Sequence, residues 1–93
     1  MITQEFASVW DAIEDTSEAA ENMKIRSALM IALKQHIRAE GWTQAQAAKA
    51  LGVTQPRISD LTRGKIQLFG IDALVGLISA AGLEVAVSVR KAA

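Results

Sequence analysis

The sequence contains no cysteine and no tyrosine, a single proline, a single histidine, and only two Trp and two Phe in 93 positions. Without cysteine there is no disulfide, no thiolate zinc or iron–sulfur site and no cysteine nucleophile, and the composition suits a reducing, cytoplasmic compartment. The few aromatics are scattered, so they offer no stacking platform of the kind that single-stranded nucleic acid recognition needs. The lone histidine, His36, sits beside apolar Ile37 in a helical run, which is a structural setting. With no nucleophile, base or ligand grouping at catalytic spacing, an enzyme is not expected, and no metal or other cofactor is implied. Long apolar runs are missing too. The longest, Ala28 to Leu33, is far short of the roughly 20 residues that cross a bilayer, and no positive charge precedes an apolar run at the start, so neither membrane span nor targeting segment is expected.

What is present is a 51% hydrophobic chain with a net charge of zero. Its length allows one domain, residues 1–93, and a chain of this size buries only roughly 60 to 65% of its extended surface, so pairing into a homodimer is expected to supplement the core. The zero is a sum of opposites. Residues 1–22 hold six acids and no base, residues 23–69 hold eight bases against two acids, and residues 70–93 balance. The basic middle can face a polyanion, while the acidic start either solvates the domain or points toward a protein partner.

Apolar spacing predicts five helices. Phe6, Val9, Trp10 and Ile13 mark a short amphipathic helix within an acidic helical segment, 1–16. A second helix, from about Ser17 to Ala39, carries Met23, Ile25, Leu29, Met30, Ile31, Leu33 and Ile37 on so many sides that it reads as the central core helix. Thr43 and Gln46 form a capping-box pattern ahead of a helix at 44–51 that Gly52 ends. Thr54 caps the next helix, 55 to about 63, which tolerates Pro56 in its first turn and closes at Gly64. The last helix, 71–81, has a stripe of Ile71, Leu74, Val75 and Ile78. From there the period changes to two. Leu83, Val85, Val87 and Val89 alternate with more polar residues and predict a strand over 83–90, pairing with its copy across a two-fold axis and so serving dimerisation; the alternatives are a partly disordered tail or a pairing with residues 1–3.

Residues 43–64 have the layout of a helix-turn-helix: two short helices joined through a glycine, with small Ala47 and Ala48 letting the second pack close and stand proud of the body. A proud helix fits the major groove of duplex DNA, where each base pair shows a distinct donor and acceptor pattern. Side-chain chemistry suggests roles. Gln55 can pair bidentate with adenine, Arg57 can reach guanine or phosphate, Ser59 can serve either, and Asp60 can accept from cytosine or orient Arg57. The amides at the helix starts behind Gln44 and Thr54 can hold phosphate, and Arg63, Lys65 and Gln67 follow the helix as backbone contacts.

The run from Thr43 to Gly64, Thr-Gln-Ala-Gln-Ala-Ala-Lys-Ala-Leu-Gly-Val-Thr-Gln-Pro-Arg-Ile-Ser-Asp-Leu-Thr-Arg-Gly, resembles the helix-turn-helix of the Cro and phage-repressor superfamily, often called Xre-like. The resemblance implies an all-α, compact five-helix repressor-like domain, to which the C-terminal strand is added. It also implies that Gln44 contacts phosphate and that Gln55, Pro56 and Asp60 read bases. Pro56 and Asp60 depart from the glutamines common in phage repressors, so the target sequence does not carry over. Further likeness at Phe6, Val9-Trp10-Asp11, Arg26 to Met30, Gly64-Lys65-Ile66 and Ala81 to Val85 is to small Xre-type regulators, many of them similar to antitoxins of type II toxin–antitoxin pairs. By that resemblance the chain is expected to repress its own operon from double-stranded operator DNA and to neutralise a small basic, mRNA-cleaving toxin. Phe6, Trp10, Asp11 and Glu14 are its candidate toxin contacts. The alternative is a solitary Xre-like regulator with no toxin partner.

Overall fold

The computed structural model describes residues 17–92, and among these it is all α. The helices are α1 (Ser17–Glu40), α2 (Gln44–Leu51), α3 (Gln55–Thr62) and α4 (Ile71–Ala80), with a 3-10 turn at Ile66–Leu68 between the last two. The helix expected within 1–16, and the candidate toxin contacts Phe6, Trp10, Asp11 and Glu14 with it, lies outside the described residues.

Local chemistry sets the helix ends. α1 closes with the Trp42 amide donating to the Ile37 carbonyl at 3.2 Å and the Gly41 amide to Arg38 at 3.0 Å, which satisfies two of its last carbonyls. α2 opens on a complete capping box: the Gln46 amide donates to Thr43 Oγ1 at 3.1 Å, and the Thr43 amide donates to Gln46 Oε1 at 2.9 Å. Trp42 stands just before that cap and meets His36 edge-on, with ring centroids 5.4 Å apart. The histidine therefore has a packing role, as its position in the sequence suggests.

α1 and α4 lie against each other, and α2 and α3 close the other side of one core. Leu33 from α1, Ile58 and Leu61 from α3, Phe69 after the turn and Leu74 from α4 are its most deeply buried large side chains. Burial on α1 is narrower than its composition suggests. Met30, Leu33 and Ile37 are buried and Leu29 packs against them, whereas Met23, Ile25 and Ile31 are 41%, 44% and 53% exposed. The helix is one wall of the core and not its centre, because the described helices cover only one of its sides. In α4 the buried residues are Leu74, Leu77 and Ile78, while Ile71 is half-buried and Val75 lies on the open side.

The expected five-helix fold with a C-terminal dimerisation strand is corrected on two counts. Four helices are present among the described residues, and none of these residues is in a strand. Residues 83–92 follow α4 without regular structure, leaving Leu83, Val85, Val87 and Val89 exposed, the last two at 81% and 90%. The period-two pattern states which residues would share a face once paired. A strand exists only through its ladder, and no other described segment supplies an extended edge to bond it.

Candidate nucleic-acid interface

The short α2 buries Ala47, Ala48 and Leu51. Two alanines in succession let α3 approach closely, and Ile58 and Leu61 of α3 fill the space above them at 1% and 0% exposure. The turn between the helices is compact. Gly52 takes φ +72°, and the Val53 amide donates to the Ala48 carbonyl at 3.0 Å, closing α2 one residue before Thr54 begins to cap α3. A side chain at Gly52 would meet open space, so its requirement is conformational: a β-carbon is disfavoured at that φ.

Thr54 Oγ1 accepts from the Arg57 amide at 3.3 Å, and Pro56 occupies the first turn, where its missing amide has no intrahelical acceptor to lose. This cap holds the exposed end of the helix. Thr54→Ala is expected to lower stability by about 1 kcal/mol, read as a shift of the urea midpoint with an unchanged slope. No shift in the midpoint would mean that the cap is not formed in solution.

With roughly 100° of rotation per residue, α3 has two unlike sides. Ile58 and Leu61 face the body. Gln55, Pro56 and Arg63 lie on the other side, exposed, with Ser59 half-buried between them. Gln44 is exposed in the first turn of α2, and Thr54 is exposed as the cap of α3. Asp60 is partly exposed and pairs with Lys65, Nζ to Oδ1 at 3.5 Å, not with Arg57 as one of its expected roles required. Such a half-exposed pair adds at most about 1 kcal/mol, so its effect is to orient both groups beside the end of α3. Gln67 is exposed on the 3-10 turn.

Arg57 goes elsewhere. It lies about 100° further round than Pro56, at the border of the buried side. Its guanidinium rests over the Phe69 ring, 3.9 Å from the centroid, and its NH1 donates to the Leu68 carbonyl at 2.9 Å. α3 thus presents Gln55, Pro56, Ser59 and Arg63 on one open side, with Thr54 capping its start and Asp60 paired to Lys65 beyond its end, while the Arg57 head lies away from that side over Phe69. The spacing held the signal for this: Arg57 directly precedes buried Ile58 and sits four residues before buried Leu61, on the turn that edges the core.

A capped helix raised on a glycine turn, with its polar side open and its apolar side locked to a short alanine-rich helix, defines a helix-turn-helix domain. The family model for a helix-turn-helix domain matches residues 12–90. The chain is also similar to a solved structure assigned by name to the XRE family of transcriptional regulators, at 32% identity and a TM-score of 0.72, over 80% of this chain and 83% of that one. No curated protein gives a significant match. The chain belongs to the Xre/Cro-like family of helix-turn-helix transcriptional regulators, and is a non-enzymatic, DNA-binding regulatory protein. Among the described residues no helix is long and apolar enough to cross a membrane.

Proposed function

We propose that the protein is a solitary Xre-like repressor that binds a palindromic double-stranded operator as a homodimer in the cytoplasm. The observation that carries the reading is the open polar face of α3, with Gln55, Pro56, Ser59 and Arg63 opposite buried Ile58 and Leu61. In this reading Gln55 pairs with adenine and Ser59 contacts a neighbouring base or phosphate. Asp60, held by Lys65, accepts from a cytosine amino group and repels the backbone of wrongly placed duplex. Gln44 and Thr54, at the starts of α2 and α3, guide phosphates onto the helix amides. Arg63, Lys65 and Gln67 contact the flanking backbone. One recognition helix buries too little surface for selective binding. Two of them, held about 34 Å apart, read both halves of a palindrome.

The test is fluorescence anisotropy on duplexes from the protein's own promoter and on scrambled duplexes of equal length. The wild type is expected to prefer the promoter. Gln55→Ala is expected to lose about 1–3 kcal/mol of discrimination per half-site while keeping its affinity for scrambled duplex. Equal affinity of the wild type for every fragment would remove the repressor reading.

The antitoxin reading rests on one observation, the six acids without a base in residues 1–22, which complement a small basic toxin. Its check is genetic. A neighbouring reading frame that arrests growth alone and is silenced by co-expression of this chain supports it, and harmless neighbours leave the solitary regulator.

A further inference from the structure

Two arginines from different helices converge on the same three-residue turn. From α1, Arg26 is steadied by Asn22 Oδ1, which accepts from its Nε at 2.8 Å, and its NH1 donates to the Ile66 carbonyl at 3.2 Å. From α3, Arg57 donates to the Leu68 carbonyl at 2.9 Å and sits over the Phe69 ring, 3.9 Å from its centroid, with Phe69 fully buried. The turn has only weak support of its own. Its internal bonds are Leu68 amide to Lys65 at 3.0 Å and Phe69 amide to Ile66 at 3.1 Å, a single 3-10 turn with no side-chain cap. A 3-10 turn this short has poor hydrogen-bond geometry and needs external partners to keep one conformation. Charged donors on its carbonyls, with a cation over the adjoining ring, are the strong form of such support.

We propose that Arg57, assisted by Arg26, is a positioning residue for DNA recognition and not a base reader: the two guanidiniums clamp residues 66–68, so that Lys65 and Gln67 meet the DNA backbone as a rigid extension of α3. This rests on the DNA-binding reading above and adds to it a division of labour within the recognition helix. The polar face selects sequence, and the arginine at its border fixes the distance from that face to the flanking phosphate contacts. Pre-ordering the turn before DNA arrives removes an ordering cost from binding. It also explains why a basic residue stands at the border of the core and not on the open face.

The experiment has two arms, one on the free protein and one on the complex. In the free protein, amide hydrogen exchange at Leu68 and Phe69 is expected to speed up on the order of tenfold in Arg57→Ala, and also in Arg26→Ala, while the α2 amides stay as in the wild type. In the complex, Arg57→Ala is expected to bind promoter duplex about tenfold more weakly with the salt slope unchanged. Arg57→Lys is expected not to rescue it, because an ammonium cannot lie flat over the ring and serve the Leu68 carbonyl together. A direct phosphate contact gives the opposite pattern, a slope smaller by about 1.8 for the two subunits of the dimer in Arg57→Ala and recovery in Arg57→Lys. That pattern, or unaltered exchange at Leu68 and Phe69, overturns the proposal. Should Arg57→Ala fail to fold, Arg57→Lys carries both arms, since it keeps the charge and loses the two-point grip. A wild type that binds no duplex refutes the repressor reading, and the exchange arm still decides whether the clamp exists.

Discussion

Raising monovalent salt from 50 to 200 mM is expected to weaken promoter binding about 150-fold. In the proposed dimer Arg63 at the end of α3 and Lys65 just beyond it contact the flanking backbone, so a pair of subunits brings about four cations to the duplex. Each phosphate neutralised contributes about −0.9 to the slope of log K against log salt, which gives a slope of about −3.6. The whole chain has a net charge of zero, so long-range attraction is weak and the dependence must come from this local patch. The slope also reports stoichiometry. A value near half of that expected would mean that one subunit binds alone, and a value near zero would mean that the face does not meet phosphates at all. If Asp60 acts as proposed, scrambled fragments are expected to bind weakly even at 50 mM.

Phe69→Ala is expected to destabilise the domain by about 3–5 kcal/mol, measured as a lower urea midpoint. A domain of 93 residues has about 5–14 kcal/mol in total, so the substitution removes a large share and raises the unfolded fraction by about two to four orders of magnitude. The effect is large because Phe69 is wholly buried and does two things. It fills the core beside Leu33, Ile58, Leu61 and Leu74, and it is the surface on which the Arg57 guanidinium rests. Phe69→Leu separates the two, since it preserves most of the volume and loses the ring face. A loss below about 1 kcal/mol for Phe69→Ala would show that the ring is not buried in solution, and the Arg57 stack would fall with it.

The helix-turn-helix was legible because its determinants are local. Thr43 with Gln46, Thr54 with the Arg57 amide, and Gly52 and Gly64 at the ends of α2 and α3 all act within six residues of chain. A cap or a left-handed glycine needs only its own neighbours, so its place in the sequence fixes its place in the structure. The polar face of α3 was legible for the same reason. Helical rotation alone sets Gln55, Ser59 and Arg63 apart from Ile58 and Leu61.

Three other features were decided by through-space neighbours. Met23, Ile25 and Ile31 have the chemistry of core residues, but no described element covers their side of α1, so they stay on the surface. The alternation after Gly82 describes a strand, but a strand needs a second edge, and no other described segment offers one. Arg57 has the reach for a base or a phosphate, and its head is instead held by Leu68 and Phe69, eleven and twelve residues further on. Sequence by itself therefore determined where the helices begin and end and which side of α3 is polar, since those depend on bonds spanning a single turn. Only the tertiary structure decided which apolar faces are covered and where the long cationic side chains settle, because a flexible side chain takes the best partner within reach and the fold alone brings that partner there.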